Sequence, residues 1–364
     1  YVEVRVENET WVVGKTRLEE FMIEVKIEDY KIERTFLGTE MEGKKYIHPL
    51  LDEIPKLAEI AKQDNYHVTV AENFVDVNAG SGLVHLSPAN GEEDNNIAMK
   101  RGVTIFCPID DEVKFTEDAG KYAGLFVRDA DEKLVQAVKD RNALVRIGKI
   151  KHKYPLCWRC NHGLVWLARR EYFYMLDKLG DKAIKAAEDV EYFFDQPKNR
   201  FLEIIKEKHP WCISRERFWG CPIPIWKCEE CGNMERLFSR KEIVESAIEL
   251  PDGENFELHR PWIDKIKVKC KKCEAVMQRE EFVLDTWHNS GSAPIASLDE
   301  STYKEKIPAP FFTEGIDQTR GWAYTLLIEN VIYNNASVSP YKSFLFQGHV
   351  LDENGNKMSK SKGN

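Results

Sequence analysis

The fold class of this chain is decided by the stretch Phe311-Phe-Thr-Glu-Gly-Ile-Asp-Gln-Thr-Arg-Gly-Trp322. An apolar run at 323–333 follows at once and predicts a helix, and residues 344–346 then predict a strand. A strand, a helix and a second strand in this order indicate a βαβ unit with parallel strands. Because open α/β sheets bind ligands at the carboxyl ends of their strands, we expect Asp317 and Gln318 to hold an ammonium group and polar ligand atoms.

The second strand leads into a lysine-rich loop. Its sequence is Gly-His-Val-Leu-Asp-Glu-Asn-Gly-Asn (348–356), followed by Lys-Met-Ser-Lys-Ser-Lys-Gly-Asn (357–364). Serine and glycine keep such a loop mobile, and lysine ammonium groups are point charges that meet a polyphosphate. A mobile lysine loop suits a reaction in which charge develops on phosphate oxygens and then leaves. A solvated basic tail is the alternative that lysine and serine alone would favour.

Both stretches resemble parts of a known family. Lys-Met-Ser-Lys-Ser (357–361), after Gly-His-x-x-Asp (348–352), resembles the nucleotide loop of class I aminoacyl-tRNA synthetases. Glu-Gly-Ile-Asp-Gln-x-Arg-Gly-Trp (314–322) is similar to the form found in the isoleucyl-tRNA synthetases, as an archaeal-type variant. The resemblance implies that residues 282–364 are the C-terminal half of a Rossmann-type catalytic domain. It also implies an ATP-dependent ligase that joins isoleucine to tRNA(Ile), with ATP and Mg²⁺ as the nucleotide substrate.

Two sets of ligand-binding residues follow from this resemblance. ATP is expected to contact Gly348, His349, Lys357, Met358, Ser359, Lys360 and Ser361. Among these, Lys357 and Lys360 would act in catalysis by stabilising phosphate charge. The aminoacyl adenylate is expected to contact Glu314, Gly315, Asp317, Gln318, Trp287 and Trp322. Core packing is the alternative for both tryptophans, and His288-Asn289 departs from the Phe-Asp that is more frequent in the family.

A second candidate site lies in Gly-Ser-Gly-Leu-Val-His-Leu-Ser-Pro-Ala-Asn-Gly-Glu-Glu-Asp (80–94). Its glycines permit tight turns, beside which His85 and Asp94 can form a polar pocket. Taken alone, His85 is better explained as a hydrogen-bonded strand histidine, and the acids at 92–94 as a helix N-terminus. The stretch resembles the Gly-Thr-Gly-x-Val-His-x-x-Pro-x-x-Gly-x-x-Asp motif of the editing domain in isoleucyl, valyl and leucyl synthetases. That resemblance implies that Asp94 holds the amino group of a mischarged amino acid, that His85 lines the pocket, and that Ser81 replaces the usual threonine.

Residues 1–155 are predicted to form one mixed α+β, barrel-like domain, which the resemblance identifies as the editing domain. Short alternating stretches predict strands at 2–6, 11–13, 21–27, 67–70, 74–77, 83–86 and 103–106. Apolar residues at helical spacing predict a helix at 50–63, and a second helix is expected near 131–140.

Six of the nine cysteines form Cys-x-x-Cys pairs. The pairs are Cys157/Cys160, Cys228/Cys231 and Cys270/Cys273. In a chain without a signal peptide, this spacing indicates Zn²⁺ in a reducing compartment rather than disulfides. The last two pairs can close a structural four-cysteine site within a connective region, residues 156–281. The first pair needs a second pair, which in the resembled family often lies upstream.

The stretch Trp-Cys-Ile-Ser-Arg-Glu-Arg-Phe-Trp-Gly-Cys-Pro-Ile-Pro-Ile-Trp (211–226) is a candidate RNA contact. Arg215 and Arg217 are two residues apart, so they share a face if the chain is extended. Guanidinium groups and tryptophans can contact RNA phosphates and bases. By composition, an aromatic core seam with paired arginines is equally well supported. The stretch resembles Trp-x-Ile-Ser-Arg-x-Arg-x-Trp-Gly-x-Pro-Ile-Pro of the same synthetases, which implies that both arginines contact the tRNA acceptor end.

Length and composition limit the kinds of protein to which this chain can belong. The chain has 364 residues, 43% of them hydrophobic, and a net charge of −9. This length predicts two or three domains, and the charge argues against a general nucleic-acid coating protein while leaving room for local basic patches. No apolar run approaches membrane-spanning length, and the first residues do not resemble a signal peptide. We therefore expect a soluble, cytoplasmic protein without a membrane partner, and a monomer.

The whole chain resembles the middle of a synthetase, from within the editing insertion to the end of the nucleotide loop. We therefore expect the chain alone not to activate isoleucine, because the family's His-Ile-Gly-His half of the nucleotide site is absent from the sequence. Three alternatives stay open: a stand-alone editing hydrolase, a zinc-dependent tRNA-binding module and a valyl-tRNA synthetase relative. The presence of both Asp94 and the lysine loop favours the isoleucine ligase.

Overall fold

A computed structural model describes residues 1–149, 151–157 and 160–358. The chain divides into two compact units, Tyr1–Arg169 and Arg170–Asn364. Among the described residues, no helix is long and apolar enough to cross a membrane. The predicted division into three domains stays a prediction.

The first unit begins with a small antiparallel sheet and a helix. The strands are β1 (Val2–Val6), β2 (Glu9–Val13) and β3 (Lys31–Thr35), in the order β2-β1-β3, and the helix is α1 (Leu18–Val25). Side chains from β1, β2 and α1 meet in one core, since alternate residues of a strand share a face. This core consists of Val2, Val4, Val6, Val13, Leu18 and Met22.

Helix α1 shows that the strand prediction at 21–27 was wrong. The apolar residues there alternate as in a strand. However, Leu18 and Met22 are buried four residues apart, whereas Ile23 is 76% exposed. Burial of one helical face against β1 therefore outweighed the local alternation.

Of the other strands predicted in this unit, two are confirmed and four are loops. Residues 2–6 and 11–13 lie in β1 and β2, as predicted. The segments 67–70, 74–77, 83–86 and 103–106 are loops, and Val68 of the first segment forms an isolated antiparallel bridge with Lys45. Strand β3 was missed because all five of its residues are exposed and show no alternation in burial. The described residues form a three-stranded sheet here, so the barrel is not confirmed.

Three more helices complete the first unit: α2 (Pro55–Ile60), α3 (Glu92–Arg101) and α4 (Asp131–Asp140). Helix α4 confirms the prediction near 131–140. Helix α2 lies within the predicted 50–63 and begins at Pro55, which suits a first helical position. Helix α3 begins with three acids and ends with Lys100 and Arg101, as the helix dipole favours.

Short strands and helices alternate along the second unit. Its strands are β4 (Phe173–Tyr174), β5 (Glu191–Tyr192), β6 (Trp211–Cys212), β7 (Ser214–Arg215), β8 (Ile225–Lys227), β9 (Met234–Arg236), β10 (Ala247–Glu249), β11 (Lys267–Lys269), β12 (Val276–Arg279), β13 (Val283–Leu284), β14 (Phe312–Gly315) and β15 (Ser343–Gln347). Its helices are α5 (Gly180–Glu188), α6 (Asp195–Lys206), α7 (Arg240–Ser246), α8 (Thr286–Gly291), α9 (Ala293–Ser297), α10 (Glu300–Lys306) and α11 (Trp322–Asn334).

A three-stranded parallel sheet confirms the predicted βαβ unit. The strand order is β14-β15-β5, and α11 lies between β14 and β15 in the chain. Leu326, Leu327 and Val331 of α11 are buried in the same core as Phe344 of β15. This all-round burial explains why the helix reads as an apolar run rather than as an amphipathic pattern.

A five-stranded antiparallel sheet forms a separate core in this unit. Its order is β10-β11-β12-β8-β9. Trp226 is fully buried there and donates a hydrogen bond from Nε1 to the Ile266 carbonyl at 3.0 Å. The turns between β8 and β9 and between β11 and β12 carry the two cysteine pairs of the predicted zinc site.

Candidate functional sites

Two predicted ligand-binding segments leave the parallel sheet side by side. Across β14 and β15, Glu314 pairs with Phe346 and Gly315 pairs with Gln347. Because the strands are parallel, the residues after both strands emerge at the same carboxyl edge. The sheet therefore places residues 314–318 beside residues 348–349.

Asp317 and Gln318 are held by local contacts at this edge. Gln318 Oε1 accepts a hydrogen bond from the Trp322 backbone N–H at 2.8 Å, and Gln318 Nε2 donates to Asp317 Oδ2 at 3.1 Å. A Cβ on Gly315 would lie 2.6 Å from Asp317 Oδ1, so a larger residue at position 315 would displace the Asp317 carboxylate. Asp317 is exposed, which leaves its carboxylate open to a cationic group.

The two tryptophans predicted to contact the adenylate differ in burial. Trp322 is half-buried. Its Nε1 donates to the Ser290 carbonyl at 3.0 Å, and its ring lies 5.4 Å from that of Phe312. Trp287 is 43% exposed. Its ring edge lies 3.3 Å from the Cβ position of Gly321. Core packing thus accounts for much of Trp322, while Trp287 offers an open aromatic face beside it.

The predicted nucleotide loop starts as a turn. Leu351 and Lys357 form an isolated antiparallel bridge. Asp352 accepts hydrogen bonds from the backbone N–H groups of Asn354 and Asn356 at 3.0 and 2.8 Å. The exposed residues here include Gly348, His349, Lys357 and Met358. Ser359, Lys360 and Ser361, which were also predicted to contact ATP, lie outside the described residues.

The two arginines predicted to contact tRNA have different surroundings. Arg215 Nη2 donates to Asp285 Oδ2 at 2.8 Å, and Trp211 Nε1 donates to the same oxygen at 3.1 Å. Asp285 is 4% exposed, so this ion pair ties Arg215 to the interior. The Arg217 N–H donates to the Arg215 carbonyl at 2.9 Å, so the chain turns after β7, which corrects the expectation of an extended face. Arg217 is exposed.

His85 and Asp94 line one cleft in the first unit, with a volume of about 200 Å³. Asp94 Oδ2 accepts a hydrogen bond from the Ser87 N–H at 2.8 Å. Asp94 Oδ1 has no protein donor among the described residues, so it is open to a cation. Ser81 is not among the described residues that line the cleft. Its carbonyl instead accepts from the Gly14 N–H at 2.8 Å.

Two histidines that the sequence did not single out share this cleft. His48 stacks on His67 with ring centroids 5.6 Å apart, and its ring lies 6.5 Å from that of His85. Burial, with a smaller contribution from the neighbouring histidines, lowers the pKa of both His48 and His67. The two are distant in sequence and belong to no spaced motif, so only folding brings them together.

The predicted four-cysteine site is assembled in the second unit. The sulfur atoms of Cys228, Cys231, Cys270 and Cys273 all lie within 4.8 Å of one another. The closest pairs are Cys228–Cys273 at 3.4 Å and Cys231–Cys270 at 3.7 Å. Tetrahedral Zn–S bonds of about 2.3 Å put sulfur atoms about 3.8 Å apart, so the cluster fits a metal ion. Although burial opposes it, backbone N–H donors of Cys273 and Lys272 lower the pKa of Cys270, which favours its thiolate.

The two turns that carry these cysteines share one backbone frame. In each turn, the first cysteine donates its N–H to the carbonyl five residues later and accepts from the N–H four residues later, at 2.8–2.9 Å. The residue four positions after the cysteine is left-handed in both, with φ of 69° at Gly232 and 63° at Glu274. The backbone hydrogen bonds therefore give both turns the same conformation, and the sulfur atoms of both turns meet in one cluster.

Cys157 heads a third turn of the same kind. Its N–H donates to the His162 carbonyl and its carbonyl accepts from the Asn161 N–H, both at 2.8 Å. Asn161 is left-handed, with a φ of 59°. Within the described residues, no third potential ligand joins Cys157 and Cys160. The structure gives this pair the frame of a half-site without its partner ligands.

A buried polar cluster that the sequence did not indicate links α8 to α11. His288 Nε2 lies 2.9 Å from the Tyr174 hydroxyl and 3.6 Å from Glu329 Oε1. Burial raises the pKa of Glu329 to about 8 and lowers the pKa of His288. Among the described residues, Glu329 Oε1 and His288 Nδ1 have no hydrogen-bond partner. Burial therefore favours the uncharged form of both groups.

Comparison with known proteins gives matches along the chain. The family model described as tRNA synthetases class I (I, L, M and V) matches residues 10–364. The isoleucine–tRNA ligase of Saccharolobus islandicus is 42% identical over 368 residues, covering 100% of this chain and 34% of that protein. The isoleucine–tRNA ligase of Methanocaldococcus jannaschii is 41% identical over 372 residues, covering 100% of this chain and 35% of that protein.

This chain spans about a third of the length of the curated relatives that it matches. Among solved structures, it is similar to the LeuRS–tRNA–LeuAMS ternary complex of Agrobacterium radiobacter K84. That match has a TM-score of 0.32 and 27% identity, over 43% of this chain and 22% of that chain.

Proposed function

This chain belongs to the class I tRNA synthetases of the isoleucine, leucine, methionine and valine group, and on that premise we propose that its residues serve an isoleucine–tRNA ligase. One observation carries the choice of isoleucine: the similarity to two isoleucine–tRNA ligases, at 42% and 41% identity, covers the whole chain. The proposed partners are isoleucine, ATP and tRNA(Ile), and the proposed protein is a cytoplasmic monomer.

In the proposed reaction, a carboxylate oxygen of isoleucine attacks the α-phosphate of ATP and displaces pyrophosphate. A terminal hydroxyl of tRNA(Ile) then attacks the carbonyl carbon, and AMP leaves. Such catalysis depends on positioning and on stabilising developing charge. Mg²⁺, bound with ATP, would neutralise phosphate charge.

The carboxyl edge of the parallel sheet supports this reaction. The exposed Asp317 carboxylate would hold the ammonium group of isoleucine, while Glu314 and Gln318 orient the adenylate. Gly348 and His349 would contact the nucleoside. Trp287 would present an apolar face to the side chain, with Trp322 behind it. Lys357, together with Lys360 outside the described residues, would stabilise the phosphate charge.

The cleft around Asp94 would serve hydrolytic editing of valyl-tRNA(Ile). A missing methylene gives a hydrophobic pocket little discrimination, and isoleucine against valine is a well-known example of that limit. The open Asp94 Oδ1 would bind the ammonium group of the mischarged amino acid, and His85 would line the pocket. Ser81 would then support the loop rather than contact the ester, because it lies outside the cleft lining.

We assign the cysteine cluster a structural Zn²⁺, held by Cys228, Cys231, Cys270 and Cys273. With four protein ligands no coordination position stays open, which suits structure and not catalysis. Cys157 and Cys160 would form half of a second zinc site. The proposed architecture keeps an editing domain at 1–155, a connective region at 156–281 and half of a Rossmann-type catalytic domain at 282–364, with Arg215 and Arg217 near the tRNA acceptor end.

Deacylation of valyl-tRNA(Ile) by this chain tests the editing assignment. The matched variant is Asp94→Asn, which keeps an acceptor for the Ser87 N–H and loses the charge that binds ammonium. We expect the wild-type chain to release valine and the variant to be at least tenfold slower, since charge-assisted contacts are worth about 1.5–3 kcal/mol. Equal rates from an active wild type would contradict the assignment of Asp94.

Isoleucine activation is tested in a chimera. The matching third of the Methanocaldococcus jannaschii enzyme is replaced by this chain, and ATP–pyrophosphate exchange is measured with isoleucine and with valine. We expect isoleucine-dependent exchange that Gln318→Ala reduces. Preferential exchange with valine would identify a valyl-tRNA synthetase relative instead.

A further inference from the structure

His48 stands on the wall of the cleft that holds Asp94 and His85, although no motif in the sequence includes it. It lies in a loop and is half-buried. The cleft has a volume of about 200 Å³, and its lining brings His48 and Asp94 to the same space. His48 is therefore placed to contact whatever Asp94 binds.

One hydrogen bond fixes which nitrogen of His48 carries the proton. The Leu50 backbone N–H donates to His48 Nδ1 at 3.2 Å. A ring nitrogen that accepts a hydrogen bond carries no proton, so in the neutral imidazole the proton is on Nε2. Within the described residues, no protein group accepts from Nε2. His48 thus offers one N–H donor to the cleft.

Burial first, and the neighbouring rings second, favour the neutral form of this imidazole. His67 stacks on it and His85 lies beyond, so a proton on one ring opposes protons on the others. Arg101, the cationic residue of the cleft lining, is paired with Glu42 and Glu72 at 2.7 and 3.0 Å. Burial lowers the pKa of His48. The neutral form of His48 adds no positive charge to the cleft in which an ammonium group would bind.

His48 differs from the other two histidines of the cleft in having a backbone hydrogen bond that fixes its tautomer. Among the described residues, neither His67 nor His85 has a backbone donor on a ring nitrogen, so no described backbone group fixes their tautomers. An N–H donor whose position is set before a ligand arrives stabilises developing negative charge without reorganisation.

We propose that the His48 Nε2–H is the hydrogen-bond donor to the carbonyl oxygen of the aminoacyl ester during editing. This inference rests on the proposed editing function. Water adds through its oxygen to the ester carbon, and the carbonyl electron pair moves to the oxygen that faces Nε2–H. When this intermediate collapses, the bond to the tRNA oxygen breaks, and that oxygen takes the proton released by the water. His48 keeps its own proton throughout.

Two substitutions at position 48 separate its two nitrogens. His48→Gln places an amide N–H near the Nε2 position and so retains the donor. His48→Asn places an amide oxygen near the Nδ1 position, which keeps the acceptor for the Leu50 N–H but loses the donor. Deacylation of valyl-tRNA(Ile) is measured as kcat and KM for the wild type, both variants and Asp94→Asn.

We expect His48→Asn to lower kcat about 10²-fold with little change in KM, because one oxyanion donor is typically worth that much. His48→Gln should retain most of kcat. Loss in both variants, loss in His48→Gln alone, or wild-type kcat in both would each overturn the donor assignment. If the wild type itself does not deacylate, the editing function fails; if only Asp94→Asn is impaired, editing stands and the inference about His48 falls.

Discussion

Replacing Glu329 by glutamine should remove a pH-dependent destabilisation of the second unit. Glu329 lies in α11 and is 5% exposed, and burial raises its pKa to about 8. Burial lowers the pKa of His288, 3.6 Å away, which favours its neutral imidazole. The folded protein therefore holds a proton on Glu329 that the unfolded chain, with an ordinary carboxyl pKa of about 4.3, has released at neutral pH.

The sign and size of the effect follow from this difference. Between the unfolded and folded pKa values, the folded state binds more protons, so stability is full at low pH and falls as pH rises. At 1.36 kcal/mol for each pH unit, the Glu329 contribution falls by up to about 4 kcal/mol between pH 5 and pH 9. The Glu329→Gln side chain has nearly the same shape and does not titrate, so the variant should escape this loss.

Urea unfolding followed by tryptophan fluorescence measures the difference directly. The free energy of unfolding is compared for the wild type and Glu329→Gln at pH 5, 7 and 9, with Glu305→Gln, an exposed position on α10, as the matched control. We expect the free energy of unfolding of Glu329→Gln to rise relative to that of the wild type as pH rises. The control should show the same pH dependence as the wild type. If the free energies of unfolding of the wild type and Glu329→Gln differed by the same amount at all three pH values, the reasoning would be refuted. Glu329 would then stay ionised beside a protonated His288.

Three further substitutions test the other sites. Cys231→Ser should release the metal that elemental analysis finds in the wild type, whereas Cys221→Ser, outside the cluster, should leave the metal content unchanged; equal metal in both would contradict the site. Gly315→Ala places a Cβ 2.6 Å from Asp317 Oδ1, so isoleucine-dependent exchange in the chimera should fall about 10²-fold, and an unaltered rate would remove Asp317 from the site. Asp285→Asn leaves the partly exposed Arg215 without its charge partner and should lower the free energy of unfolding by about 1–2 kcal/mol, measured by thermal unfolding. An unchanged melting temperature would show that the ion pair adds no stability.

The βαβ unit of the second unit was predictable because the sequence signals for it are local. An apolar run long enough to be a buried helix, between two short strands, leaves few other arrangements. Turn residues after each strand then locate Asp317 and Gly348 at one edge. Cysteine spacing in the same way predicted a cluster that the fold brings together from two distant turns.

The first unit was harder to predict because its architecture depends on distant contacts. The alternation at 21–27 is compatible with either a strand or a helix, and only packing of Leu18 and Met22 against β1 decides between them. Segments 74–77 and 83–86 have apolar residues that line open grooves instead of a sheet. His48 joins Asp94 only through the tertiary fold, so no spacing in the sequence could have revealed it.

The turns headed by Cys157, Cys228 and Cys270 reach one backbone frame with asparagine, glycine and glutamate in the left-handed position. A side chain there costs about 1–2 kcal/mol relative to glycine, which is small beside the free energy of binding a structural zinc ion. Mutation can therefore exchange that residue while the cysteine spacing is preserved. A search for such Cys-x-x-Cys turns in other sequences that demanded glycine four residues after the first cysteine would miss two of these three turns.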